Sequence, residues 1–180
     1  MPTMPIQDYR ALAQALNDRI RDANDLRVWQ ESADRAGNQA GGVMPIWQRE
    51  LLSRLLALGA PIEYLTVEYF ETEACRLLAF AGQLIVEART VSLGHGEFKL
   101  ESFHIGHLSS ISSIDIDSTD SVPFDSIEWP ARIGLSLNLP GGPTKLPLDR
   151  HASRANMTEL LVFYPALLMG YALGSTGNPS

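Results

Sequence analysis

The chain predicts an α+β fold in which two helices precede seven short antiparallel strands and one closing helix. Three observations carry this reading. Up to Pro61 the apolar residues fall at helical spacing; from there to about Leu148, short alternating runs are broken by Gly, Pro, Ser and Asp; near the C-terminus helical spacing returns. No helix-patterned segment of about a dozen residues lies between any two strand candidates, which excludes the crossovers of a doubly wound parallel sheet or a TIM barrel. The strand body is therefore expected to be a meander that rolls up into a partly open barrel or packs on itself.

The first helix spans Gln7 to about Asn24, where Tyr9, Leu12, Ala13, Leu16 and Ile20 make one apolar stripe opposite Asp8, Arg10, Asp18 and Arg21. A single stripe needs a partner surface. Leu26, Val28 and Trp29 prolong the helix, form a short strand or anchor a loop, and the Gly-rich stretch Ala36–Gly42 reads as a flexible connection without phosphate-loop spacing. The second helix runs from Pro45, suited to a first turn, to a stop at Gly59. Its face of Ile46, Trp47, Leu51, Leu52, Leu55, Leu56 and Leu58 is wide and greasy, and burying each Leu is worth roughly 1.5–3 kcal/mol. That face either packs within the chain or forms a possible interface for self-association.

The strands are expected at Glu63–Glu71, Ala74–Ala81, Gln83–Val91, Glu97–His104, Ser112–Ser118, Ala131–Leu139 and Thr144–Leu148. Leu84, Val86 and Ala88 alternate with Glu87 and Arg89. Ile133, Leu135, Leu137 and Leu139 alternate with Gly134, Ser136 and Asn138, and Ile114 and Ile116 with Asp115 and Asp117. Each pattern is that of a half-buried strand with one solvated side. Gly94-His95-Gly96 and Pro140-Gly141-Gly142-Pro143 supply tight reversals. Ser153 or Asn156 caps the last helix, where Met157, Leu160, Leu161, Tyr164, Leu167, Leu168 and Tyr171 recur at helical intervals across Pro165, which is expected to bend it or loosen a turn. Such a helix suits a plug over an open barrel end. Residues 175–180 read as a frayed tail.

Composition narrows the function classes. With 180 residues, 45% hydrophobic and a net charge of -7, the chain has material for one well-developed core and an acidic surface. With only 14 Lys and Arg, scattered rather than clustered, nucleic acid is a poor partner, and so is an anionic membrane. The apolar stretch Leu160–Leu173 is too short for membrane insertion, and Met1–Pro5 lacks the basic and apolar regions of an export signal. Cys75, the single cysteine, forms no intrachain disulfide and sits among apolar neighbours, which points to a structural thiol and a cytoplasmic location.

No set of residues assembles a convincing reaction centre. His104 and His107 are three apart but lack a third ligand, and neither Cys75, His95 nor His151 is placed beside them, so no metal or other cofactor is expected. Asp115, Asp117, Asp120, Asp125 and Glu128 form an acidic segment without the glycine and glutamate of a calcium loop. Asp117, His107 and one of Ser109, Ser110, Ser112 or Ser113 have the residue types of a nucleophile triad without a nucleophile elbow. Glu63, Glu68, Glu71 and Glu73 read as a charged strand face rather than a glycosidase pair. Trp129 precedes a strand after a polar loop, packed beneath that loop or lining a possible groove.

Three stretches have the texture of a known architecture: Leu77–Val86 as a first hairpin, His107–Ile116 as a loop entering a central strand, and Gly134–Gly142 as a late hairpin. With seven strands followed by one C-terminal helix, the chain over Ile62–Leu173 resembles the bacterial pleckstrin-homology-like (PH-like) domains. The resemblance implies a seven-stranded antiparallel PH-like roll capped by the C-terminal helix, and a binding role for protein, peptide or lipid without catalysis. Ala81-Gly82-Gln83 lacks the basic residues that the phosphoinositide-binding members use, so lipid binding does not carry over. The expected organisation is a helical extension over residues 1–60, packed on the body or on a partner subunit, a body over 61–174 and a tail. The expected function is a non-catalytic binding or assembly module acting through protein–protein interaction or self-association. The alternatives are a barrel-type carrier of a small apolar ligand and, behind it, a hydrolase.

Overall fold

The computed structural model describes residues 6–26, 28–31, 44–70, 74–94, 97–119 and 133–175. Along the chain run α1 (Ile6–Asp22), a helical turn over residues 28–31, α2 (Ile46–Leu56), β1 (Ile62–Tyr69), β2 (Cys75–Ala81), β3 (Leu84–Gly94), β4 (Glu97–His107), a 3-10 turn (Leu108–Ser110), β5 (Ser113–Thr119), β6 (Ile133–Leu139), β7 (Gly142–Leu146) and α3 (Arg154–Ser175). The fold is α+β. Its strands form two antiparallel meanders, β1-β2-β3-β4 and β5-β6-β7, which do not close into one barrel.

Two of the two-residue hairpins follow from turn chemistry. Ala81 pairs with Leu84 across Gly82-Gln83, and Gly82 takes the positive φ of 59° that L side chains resist. Leu139 pairs with Gly142 across Pro140-Gly141. Pro143, with no N–H to give a ladder, is tolerated because β7 is an edge strand.

β1, β2 and the near end of β3 are covered on both faces, while β4 and the Glu87–Arg89 side of β3 stay open to solvent. On one face Leu65, Val67, Cys75, Leu77, Ala79, Val86 and Ala88 meet Leu16 and Ile20 of α1, Trp29, and Trp47, Leu51, Leu52 and Leu55 of α2. On the other, Tyr64, Leu78, Phe80 and Ile85 meet Leu135 and Leu137 of β6, Leu146 of β7 and Leu160, Phe163 and Leu167 of α3. β2 explains the difference: a strand sealed on both sides reads as a continuous apolar run, as in Leu77-Leu78-Ala79-Phe80-Ala81, rather than an alternating one. β3 likewise sends Ile85 one way and Val86 and Ala88 the other. In β5 the expected inward Ile116 is instead 54% exposed, because β5 is an edge strand whose register with β6 shifts between Ile116 and Ser118.

The helical face is locked by aromatic and polar contacts. Trp29 meets Trp47 edge to face at 5.2 Å, and its indole N–H donates to Asn17 Oδ1 at 2.9 Å. On the far side, Phe163 stacks on Tyr64 at 5.6 Å and lies 5.0 Å from Phe80. Polar links join the ends of α1 and α3: Asn24 and Ala152 form an antiparallel bridge, and the Ser153 N–H donates to the Ala23 carbonyl at 3.1 Å. Ser153 caps α3, its Oγ accepting the Asn156 N–H at 3.1 Å, and so decides between the two cap candidates. The helix then runs through Pro165 without interruption.

Candidate functional site

Of the two roles open to the greasy face of α2, the structure has it packed within the chain. Trp47, Leu51, Leu52 and Leu55 are buried against the four-stranded sheet and the Trp29 turn, and Leu56 is half-buried. A partner would have to displace the core to reach the first four. Ile46, expected on the same face, instead points outward with Arg49, Glu50, Ser53 and Arg54 and is 74% exposed, and Leu58 is half-buried. Trp129 lies outside the described residues, as do His95, Glu71, Glu73, Asp120, Asp125 and Glu128.

The reactive residue types are dispersed. Burial pushes the Cys75 thiol up to about 11 despite the Thr90 hydroxyl beside it, which leaves it a protonated core group. His104 and His107 sit an odd number of positions apart on β4, so their side chains leave opposite faces of the strand. Among the described residues no three His, Cys, Asp or Glu side chains group as a metal site. His107 caps the 3-10 turn: its Nδ1 accepts the Ser109 N–H at 3.1 Å and lies 2.8 Å from Ser109 Oγ. Asp117, offered as the third member of a triad, instead accepts the Ser136 hydroxyl at 2.6 Å on the other sheet. The triad is therefore not assembled. Glu63 and Glu68 lie near opposite ends of β1, five residues apart along an extended strand, so they are not a carboxylate pair.

Among the described residues, two of the open grooves lie beside the sheets and α1. One of about 840 Å³ lies where the ends of β1 and β7 meet the loop over residues 147–152. Its charges nearly balance, Lys145 and Arg150 against Glu68, Asp117 and Asp149, and Asp149 is already engaged by Asn24 Nδ2 at 3.0 Å and the His151 N–H at 2.9 Å. The Tyr69 hydroxyl is buried there without a hydrogen-bond partner, and burial raises its pKa well above the phenolic value. A wall of such mixed sign prescribes no one ligand. The second groove, about 350 Å³, is apolar and lies between α1 and α2, with Leu12, Leu16, Leu55, Leu56 and Ile62 in its walls. The space between the four-stranded sheet and α3, where a barrel-type carrier would hold its ligand, is occupied by the rings of Tyr64, Phe80 and Phe163.

The surface that departs most from ordinary expectation is the outside of α3. Asn156, Leu160, Phe163, Leu167 and Gly170 point inward; a Cβ on Gly170 would lie 2.7 Å from the Leu108 side chain. The outward residues Val162 and Met169 are 77% and 63% exposed, with Leu168 at 38%. No charged residue occurs between Leu160 and Ser175. A helix that is apolar all round is normally buried all round, and here half its circumference faces water. The periodicity of the last helix was legible in the sequence, but without the inward set the outward one was not separable from it. No helix of the described residues is long and apolar enough to cross a membrane.

Comparisons with known protein families, with curated proteins and with solved structures return no match to this chain.

Proposed function

We propose that this chain is a non-catalytic protein-binding or assembly module of PH-like build, whose partner docks on the outward face of α3. The observation that carries the reading is the uncharged, water-facing side of that helix, with Val162 and Met169 standing most exposed. Support for the PH-like build comes from two antiparallel meanders of four and three strands followed by a helix packed on their shared core. Support for binding over turnover comes from the dispersal of the histidines, the buried Cys75 and the separation of Asp117 from His107. A membrane surface is a poorer occupant than a protein, since interfacial helices pair an apolar face with Lys and Arg, which this helix lacks after Arg154. A cytoplasmic setting fits the single cysteine.

The reading is tested by placing a photoreactive benzoylphenylalanine at position 162 in cells, with the exposed Lys99 position on β4 as control. A protein adduct at 162 and none at 99 is expected. Absence of adducts at 162, or equal labelling at both positions, overturns it. The carrier alternative retains one specific support, the apolar groove between α1 and α2. It requires a small molecule to accompany the protein through gentle mass spectrometry.

A further inference from the structure

Resting on the α3 reading, we infer that the partner is a second copy of this chain, joined through an antiparallel α3–α3 seam about a two-fold axis. Ala155, Thr158, Val162, Pro165, Met169 and Ala172 are all exposed and follow one another at intervals of three, four, three, four and three. That is the a/d spacing by which one helix meets another, and it is distinct from the inward stripe that serves the chain's own core. α3 thus carries two seams, one used in cis and one facing out.

The stripe is its own complement when reversed. About the midpoint between Phe163 and Tyr164, Val162 meets the Pro165 level of the second copy, Thr158 the Met169 level and Ala155 the Ala172 level. The long Met then lies against Thr, and small residues meet at both ends, so two identical faces pack without clashing. Leu161 and Leu168 widen the seam on one side. Charge sets where a second copy can meet the first. A chain of net charge -7 repels itself over most of its surface, and the uncharged stripe is where two copies meet with the least like-charge repulsion. Glu159, the nearest acid along its edge, is held by Arg19 of its own chain at 3.2 Å. A seam one helix wide belongs to the small end of specific interfaces, below roughly 1,200 Å² in total, so the dimer is expected to exchange reversibly. Two-fold self-contacts are the commonest form of protein assembly.

The test uses the full chain. Light scattering from about 1 to 100 µM should show the mass rising from 19.8 kDa towards twice that value. Val162→Asp should weaken association at least about tenfold while leaving unchanged the circular dichroism melt taken at about 1 µM, where the single chain prevails, since the site is exposed. Orientation is read by oxidation. Thr158→Cys mixed with Met169→Cys should give a covalent dimer, because those positions share a level across an antiparallel seam. Thr158→Cys alone should not, its two copies lying about 16 Å apart along the axis. A mass that stays at one chain throughout, or cross-linking of Thr158→Cys with itself, overturns the inference. A single-chain mass accompanied by a protein adduct at position 162 would sink the second copy while leaving the protein-binding reading intact.

Discussion

At the foot of α3, Asn156 accepts the Tyr64 hydroxyl proton at 3.1 Å and gives its amide to the Leu65 carbonyl. Burial raises the Tyr64 pKa, so the phenol remains a donor at every ordinary pH. Two charged groups nearby behave in opposite senses. Burial pushes the Glu87 carboxyl up, but Arg89 and Arg76, bonded at 2.8 Å each, outweigh it and hold the pKa below 4.5. Its contribution is therefore complete above that ordinary value and is lost as pH falls through the lower native one. For Glu68, burial raises the carboxyl above 4.5 despite Arg76, so ionising it costs stability as pH rises through the native value. At pH 7, Glu87→Gln is expected to lower the melting temperature by an amount corresponding to about 1 kcal/mol, and Glu68→Gln to raise it. Melts between pH 3 and 7, roughly the range in which carboxylates titrate, should show Glu87→Gln with the shallower acid dependence. A rise for Glu87→Gln at pH 7 would contradict the Arg76 and Arg89 contacts.

At the scale of the element, α2 is core and α3 is divided. Leu51 is fully buried in α2, whereas Ile46 is 74% exposed on the same helix. Leu51→Ala should therefore cost about 2–5 kcal/mol, and Ile46→Ala should stay within about 0.5 kcal/mol, measured by denaturant midpoints at constant slope. Comparable losses would mean that Ile46 is covered by something outside the chain. The helices and strands were legible because periodicity and breakers are local properties: Pro45, Gly59, Gly82 and the Pro140–Pro143 run punctuate the chain where its elements begin or turn. Which face meets what was not local. Val86 and Ile85 are both apolar, and only the arrival of α2 on one side and α3 on the other separates them. The docking face was concealed for the same reason. Val162 and Phe163 are neighbours of similar hydropathy, and assigning one to solvent requires knowing where β6 and the 3-10 turn lie.

For the whole molecule, the first sixty residues do not read as an appendage. α1, the 28–31 turn and α2 pack on one face of the four-stranded sheet, and Arg19 joins α1 to the Ile62 and Glu63 carbonyls and to Glu159. A chain beginning at residue 61 should therefore expose Leu65, Val67, Leu77 and Ala79 and fail to melt cooperatively, as followed by near-ultraviolet circular dichroism. A sharp transition in that fragment would show that the strand body stands alone. The bridge between Asn24 and Ala152, with Ser153 Oγ donating to the Asp22 carbonyl, has a consequence during synthesis. The first helix leaves the ribosome more than a hundred residues before the segment that fastens its end, so its last carbonyls wait for Ser153 long after α2 and β1–β3 have covered its apolar side. A pause in translation just ahead of Ala152 would lengthen the interval in which that end can fray.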